Sequence, residues 1–366
     1  MVWLFVMLLM FIAGNTVAQE TGVIEGRLVN KDGRPLEAAT VFIAGMTKKT
    51  LSDSDGKFNL GRFVAGTYQL SVSMLGYEKL KYDVLITDGT VFLNLKLNPQ
   101  DILLNEVAIF ANSTQRKKNL ELFKKAFLGS SGNVGKCRIL NPEVLSLKMD
   151  RERGLLTADC DDFLIIENMA LGYKVSYLLN SFSYDTKKDI ALYNGDIVFE
   201  ELSGIAGQLK IWKQARLKTY RGSLMHFFRS VYRKEAAAEG FEIHQAFEDV
   251  PKFSGWGFGK YVVEIDRQQL ELEEKNAPHP QGLLPLHFVK ILVRFYSEGL
   301  NQKARMIQPT GREETIVGEG SSVIYLLKKG LKIDAKGDFS DHQSLFIHGA
   351  FARQRLADQL PYEYMP

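Results

Sequence analysis

Between residues 22 and 97 the chain alternates apolar and polar residues, and turn-forming clusters interrupt that alternation at short intervals. Few folds accept such a pattern. The alternation over 23–29 stops at Asn30-Lys31-Asp32-Gly33, where Asx and glycine chemistry suits a tight reversal. Strands are predicted over 40–44 and 48–52, and Asp53-Ser54-Asp55-Gly56 then turns the chain into Phe58-Asn59-Leu60. Residues 68–74 alternate with period two, as a half-buried strand does, and 84–87 and 91–97 complete the set. Short strands with turn signals about every 8–12 residues restrict this region to a β-sandwich rather than a parallel α/β sheet. Asp53-x-Asp55-Gly56 has the front of a calcium loop, yet Val64 stands where such a loop needs its glutamate. The two aspartates are therefore read as turn residues that hydrogen-bond their own backbone.

Asp32-Gly33-Arg34-Pro35-Leu36, Ala39-Thr40-Val41, Ser52-Asp53-Ser54-Asp55-Gly56-Lys57-Phe58, Gly66-Thr67-Tyr68 and Gly76-Tyr77 resemble the carboxypeptidase regulatory-like domain. That resemblance implies a seven-stranded transthyretin-like sandwich over 21–98, a module that accompanies carboxypeptidases without catalysing anything. Farther along, Ile139-Leu140-Asn141-Pro142-Glu143-Val144, Ile166-Glu167-Asn168 with Leu171-Gly172-Tyr173, 222–230 and 355–362 resemble exported carboxypeptidase-like regulatory domain-containing proteins of Gram-negative bacteria. No activity is established for that family.

Residues 1–18 have the form of an export signal. Val2 to Ala13 is an uncharged apolar run, and Thr16-Val17-Ala18 supplies small residues ahead of a cut before Gln19. Twelve apolar residues are too few to span a bilayer, which takes about 20 helical residues. No lysine or arginine lies near Met1, a departure from the usual signal, and no cysteine follows the run to accept a lipid. The expected location is the periplasm or the outer-membrane or cell surface.

Residues 99–115 are expected to be a linker. The remainder, 116–366, reads as a β-rich α+β domain, so the whole chain is mainly β. An amphipathic helix over 119–128 puts Leu120, Phe123 and Phe127 on one face. A β-rich run follows over 143–202, in which Phe163-Leu164-Ile165-Ile166 is short and apolar enough for a strand buried on both faces. Two helices come next, over 208–219 and from an N-cap at Ser223 to about 238. In the second, Leu224, Phe227, Phe228, Val231 and Tyr232 form a core-facing stripe. Gly240 ends it, and strands resume over 241–244, 285–297 and on to about 349.

Nothing in the motifs identifies a catalytic centre. The histidines are His226, His244, His279, His287, His342 and His348, and none has glutamate three residues later, so the zinc carboxypeptidase pattern is absent. His226 is read as a packed or capping histidine. His342 and His348 would share a face of one strand without an identifiable third ligand. Ser223 lacks the Gly-x-Ser-x-Gly elbow. No metal or cofactor is expected. Cys137 and Cys160 leave two arrangements open, one disulfide or two separate thiols.

Two surface features point to ligands. Gly255-Trp256-Gly257-Phe258-Gly259 offers Trp256 and Phe258 for stacking on a sugar, or for packing inward. Lys210, Lys213, Arg216, Lys218, Arg221, Arg229, Arg233 and Lys234 crowd into 25 residues beside Trp212 and Tyr220. Lys210, Lys213, Arg216 and Arg221 are the candidate contacts with an outer-membrane surface or an acidic glycan, against the plain reading of a solvated helix face. A net charge of +3 gives no case for nucleic acid. The expected role is structural or protein-interacting in the cell envelope, with partners an envelope protein or a glycan. A glycan-binding module is the first alternative and a hydrolase of unrecognised type the second.

Overall fold

A computed structural model describes residues 21–100, 114–160, 162–250, 262–270, 272, 283–297, 312–317, 320–339 and 344–366. The chain divides into two compact units, the first comprising 1–42 and 49–101 and the second 43–48 and 102–366.

The first unit carries strands β1 (Thr21–Asn30), β2 (Thr40–Ile43), β3 (Lys49–Leu51), β4 (Lys57–Val64), β5 (Gly66–Ser73), β6 (Leu80–Ile86) and β7 (Gly89–Leu97). They form two sheets, β4-β1-β7 and β3-β2-β5-β6, in which β1 is antiparallel to β4 and parallel to β7. Ile24, Leu28, Val41, Phe42, Leu70, Val72, Leu93 and Leu95 fill the space between them. The turn chemistry is as the sequence dictates. Asp53 Oδ1 accepts from the N–H groups of Asp55 (3.0 Å) and Lys57 (2.7 Å), and Asn30 Oδ1 serves Asp32 and Arg34 in the same way (both 2.9 Å). On β4 the register slips opposite Ile24/Glu25, at Gly61, whose φ is +81°. The extra residue moves the buried set from Phe58 and Leu60 to Phe63.

The second unit opens with α1 (Thr114–Leu128), which begins five residues before the predicted start, and buries Phe123 and Phe127 completely. Strands β8 (Cys137–Ile139), β9 (Leu145–Asp150), β10 (Leu155–Cys160), β11 (Leu164–Asn168), β12 (Tyr173–Asp185) and β13 (Ile190–Glu201) make its first sheet. β13 pairs with the whole length of β12, so β11 (opposite 173–177) and β10 (opposite 182–185) lie end to end on the other edge. Asn180 is a bulge. Across it the core-facing residues of β12 change from Tyr173, Val175, Tyr177 and Leu179 to Phe182 and Tyr184. β11 differs from the expectation of burial on both faces: Leu164, Ile166 and Asn168 are buried, whereas Ile165 and Glu167 are half-exposed.

Helices α2 (Ala206–Tyr220) and α3 (Leu224–Tyr232) follow. α3 stops six residues short of its predicted end, because Lys234 turns left-handed (φ +60°) and residues 233–240 close a series of turns instead. The second sheet is β18-β15-β14-β17-β19-β21, built from β14 (Phe241–Val250), β15 (Val262–Gln269), β17 (Lys290–Phe295), β18 (Arg312–Ile316), β19 (Ser321–Leu326) and β21 (Leu345–Gly349). A small pair, β16 (Leu283–Pro285) with β20 (Lys332–Asp334), packs nearby, and its Leu284 and Ile333 share a core with Phe227, Phe228 and Val231 of α3. Residues 350–366, which include α4 (Ala350–Arg353), then run past both cores of this unit. Phe351 enters the second core, Leu356, Ala357 and Leu360 the first.

Candidate functional site

Helices α2 and α3 carry the basic run, and the structure sorts its members into two kinds. Trp212 is buried, with Nε1 donating to Met169 O at 2.9 Å, and Gly172 lies so close that any Cβ there would collide with the indole. Arg216, one turn on, also points inward. Its guanidinium donates to Leu171 O (2.7 Å), Gly172 O (3.2 Å) and Glu201 (2.8 Å), and stacks 4.0 Å over the Tyr173 ring. Arg229 is 3% exposed and serves three carbonyls, those of Lys336 (2.8 Å), Tyr364 (2.7 Å) and Tyr362 (3.0 Å). Arg233 pairs with Glu235 and Glu239. Of the candidate contact residues, Arg216 is thus turned inward onto its own backbone carbonyls. Lys210, Lys213 and Arg221 stand exposed, together with Lys218.

His226 sits at the junction of the two helices, against the rings of Tyr220, Phe241 and Phe295. Ser223 caps α3 by accepting from His226 N–H at 3.0 Å. Gly222 N–H donates to His226 Nδ1 at 3.0 Å, so Nε2 carries the ring hydrogen and donates to Glu239 at 3.2 Å. Both ring nitrogens are occupied. Ser223 and His226 consequently cannot work as a nucleophile–base pair, which needs a free imidazole nitrogen at the hydroxyl. Burial holds the His226 pKa below its ordinary value, against the opposing pull of Glu239.

Cys137 and Cys160 are free thiols. Strand register explains why: Cys137 lies two strands from Tyr173, while β10 runs beside 182–185 at the far end of β12. At about 3.3 Å per residue they stand well beyond the ~7 Å between Cα atoms that a disulfide tolerates. Burial, reinforced by the Asp358 carboxylate, pushes the Cys137 thiol up to about 12. Asp358 Oδ1 accepts from Ser131 Oγ and Asn133 Nδ2, both at 2.8 Å, and burial raises its pKa. His244 is buried on β14, its Nδ1 2.9 Å from Asp266 O and its Nε2 3.3 Å from Glu242. Glu242, beside the His244 ring and hydrogen-bonded by Arg294, is lowered to about 2. Among the described residues no group of three His, Cys, Asp or Glu side chains is placed to hold a metal ion. Trp256, Phe258, His279 and His342 lie outside the described residues, as do 1–18 and most of the 99–115 linker.

A shallow groove on the first unit, of about 390 Å³, is marked by no sequence motif; Glu25, Lys57, Asn59, Leu51 and Phe92 are among its lining residues. Phe92 and Leu51 are 56% and 61% exposed, and Asn59 Nδ2 donates to Glu25 at 3.2 Å. Outward-facing residues of the strand alternation were the only possible signal.

The first unit is thus a non-catalytic β-sandwich of the kind its turn motifs imply. Residues 24–109 match the family described as the CarboxypepD_reg-like domain, and the chain carries that domain. No curated protein matches the chain. Among solved structures it is similar to 3-chlorocatechol 1,2-dioxygenase from Rhodococcus opacus 1CP (12% identity, TM-score 0.20), over 23% of this chain and 61% of that one. Catechol 1,2-dioxygenase from Acinetobacter sp. ADP1 (14%, TM-score 0.20) is matched over 24% and 55%, and a streptococcal ancillary pilin (14%, TM-score 0.20) over 22% and 33%. The chain therefore spans less than two thirds of each, and likenesses of this degree assign it no activity.

Proposed function

We propose that the chain is an exported protein of the cell envelope with a structural or protein-interaction role. In this reading the sandwich is a rigid recognition or spacing module, and the second unit supplies the specific contact. The observation that carries it is the match of 24–109 to a non-catalytic sandwich family. The apolar run ending at Thr16-Val17-Ala18 supports the address. Fractionation of a Gram-negative host expressing the full chain tests the reading. The expected product is found outside the cytoplasm and begins at Gln19 by mass; a cytoplasmic product retaining Met1 to Ala18 would overturn it. Crosslinking in the same cells then identifies the protein partner.

A glycan-binding role is the second reading, favoured by the exposed Phe92 beside Glu25, Lys57 and Asn59. An aromatic ring flanked by hydrogen-bonding groups suits a sugar face. A ligand that binds only the folded state raises the melting temperature. A shift with acidic or neutral glycans that Phe92→Ala or Trp256→Ala abolishes would favour this role, and no shift with any glycan would end it.

A further inference from the structure

The 33 residues from Leu202 to Lys234 contain eight lysines and arginines and no aspartate or glutamate. With 43 acidic residues in 366, a stretch of that length would ordinarily carry about four. Three of the cations are absorbed by the fold, Arg216 and Arg229 by backbone carbonyls and Arg233 by Glu235 and Glu239. Lys210, Lys213, Lys218 and Arg221 are exposed and have no carboxylate partner among the described residues. Helical geometry gathers them. At 3.6 residues per turn, Trp212, Arg216, Thr219 and Tyr220 share the inward half of α2, whereas Lys210, Lys213, Gln214 and Lys218 share the outward half. Arg221, at the C-cap, extends the row to about 16 Å at 1.5 Å per residue. The exposed aliphatic residues Ile205 and Leu209 fall on the side of Trp212, away from these cations.

Lys210 with Lys213, and Lys218 with Arg221, are like-charge neighbours three residues apart, and such pairs repel. The first turn of α2 carries no acidic residue and Ile205 supplies no capping side chain, so nothing on the helix offsets that repulsion. A bound polyanion removes it. Which polyanion follows from what the face lacks. Protein interfaces centre on apolar and aromatic residues and are poor in lysine, but here the apolar members are half-buried Leu217 and, on the flank, Ile211. Single-stranded nucleic acid needs aromatic rings on which bases stack, and Trp212 and Tyr220 are both buried. A net charge of +3 gives duplex DNA little long-range attraction. A hydrated chain of sugars bearing carboxylates or sulfates needs cations at intervals and a neutral hydrogen-bonding group between them, which Gln214 supplies. We propose that the outward face of α2 binds an acidic polysaccharide. This face is separate from the Phe92 groove, and the proposal does not need the export reading.

Binding of the chain from Gln19 onward to immobilised polysaccharides tests it. The expected result is retention on dextran sulfate and polygalacturonate, none on unmodified dextran, and release by salt. Retention on only one of the two acidic polymers identifies sulfate or carboxylate as the group recognised. With four cations engaged, affinity falls on the order of 50-fold between about 50 and 200 mM salt through counterion release. At about fivefold per ion pair, K210Q/K218Q lowers affinity roughly 25-fold and halves the salt slope, whereas K210R/K218R binds as the parent does. K117Q/K118Q removes the same net charge from exposed positions of α1 and stays within about twofold of the parent. These variants change exposed side chains and keep the parent melting temperature. Absence of retention on both acidic polymers overturns the proposal, as does a K210Q/K218Q protein that binds like the parent. A loss in K117Q/K118Q as large as that in K210Q/K218Q also overturns it, because net charge alone then accounts for binding. Duplex DNA that competes as well as dextran sulfate overturns it too and assigns the face to nucleic acid. Phe92→Ala leaves this binding unchanged, so failure here leaves the groove reading standing, and the reverse also holds.

Discussion

Arg229→Met removes the side chain that ties residues 350–366 to helix α3. Each of the three hydrogen bonds it makes is charge-assisted and worth about 1.5–3 kcal/mol. They do not add, because a buried guanidinium has lost its hydration, and methionine of similar length recovers part of the packing. What remains is the burial of three carbonyls without donors, and removing one side of a buried charged network costs about 3–5 kcal/mol. Against a total stability of about 5–15 kcal/mol that is a large fraction. With a urea slope of about 2–3 kcal/mol/M, the midpoint of the second unit should fall by roughly 1–2 M at unchanged slope. Arg229→Lys retains the charge, but one ammonium cannot reproduce the planar fork that reaches three carbonyls, so it should fall between the two. Deleting residues 362–366 removes two of the acceptors, and the loss in the combined variant should be clearly less than the sum. An Arg229→Met protein within ~1 kcal/mol of the parent would refute the reasoning.

Gly172→Ala places a methyl against the Trp212 indole at a position whose φ is +71°, and should cost about 2–4 kcal/mol, read from the denaturation midpoint and Trp212 fluorescence. Since the folded His226 binds its proton less readily than the unfolded chain, stability should be complete above about pH 6.5 and decline as pH falls through the folded pKa. Urea curves at pH 7.5 and 5.5 check this, and His226→Gln should lessen the difference. Cys137, with its thiol pushed up to about 12, should resist iodoacetamide at about pH 8 in the folded protein, whereas both cysteines react in urea without prior reductant.

The sandwich was legible because its information is local. Asp53 and Asn30 set their turns with their own side chains, and period-two alternation then fixes which face of each strand is buried. The α3 stripe of Phe227, Phe228 and Val231 was legible for the same reason. The full length of β12 was not, because the bulge at Asn180 shifts the phase and breaks the run of alternation on which a strand is recognised. The basic run shows the limit most plainly. Lys213 and Arg216 look alike as sequence, yet one faces water and the other the carbonyls of Leu171 and Gly172. That difference depends on a turn some 40 residues upstream, which no local pattern encodes. The end of α3 failed similarly: Ala236-Ala237-Ala238 favours helix by propensity, but Lys234 has already left it and Phe241 must enter β14.

The reach of Arg229 also orders events in time. Its acceptors at Tyr362 and Tyr364 are 133 and 135 residues downstream. Asn168 Nδ2, in the first sheet, donates to Ala357 O, 189 residues on. A ribosome or translocon that has delivered both sheets has delivered Lys336, one acceptor of Arg229, but neither Tyr362 nor Tyr364 nor Ala357. Until those residues emerge, the nascent second unit carries a buried-to-be cation with one of its three acceptors and an amide without its carbonyl. Its assembly should be late and cooperative rather than sheet by sheet. Products that stop short of that point should be recognisable to proteases as open chains even though every strand is already present in them.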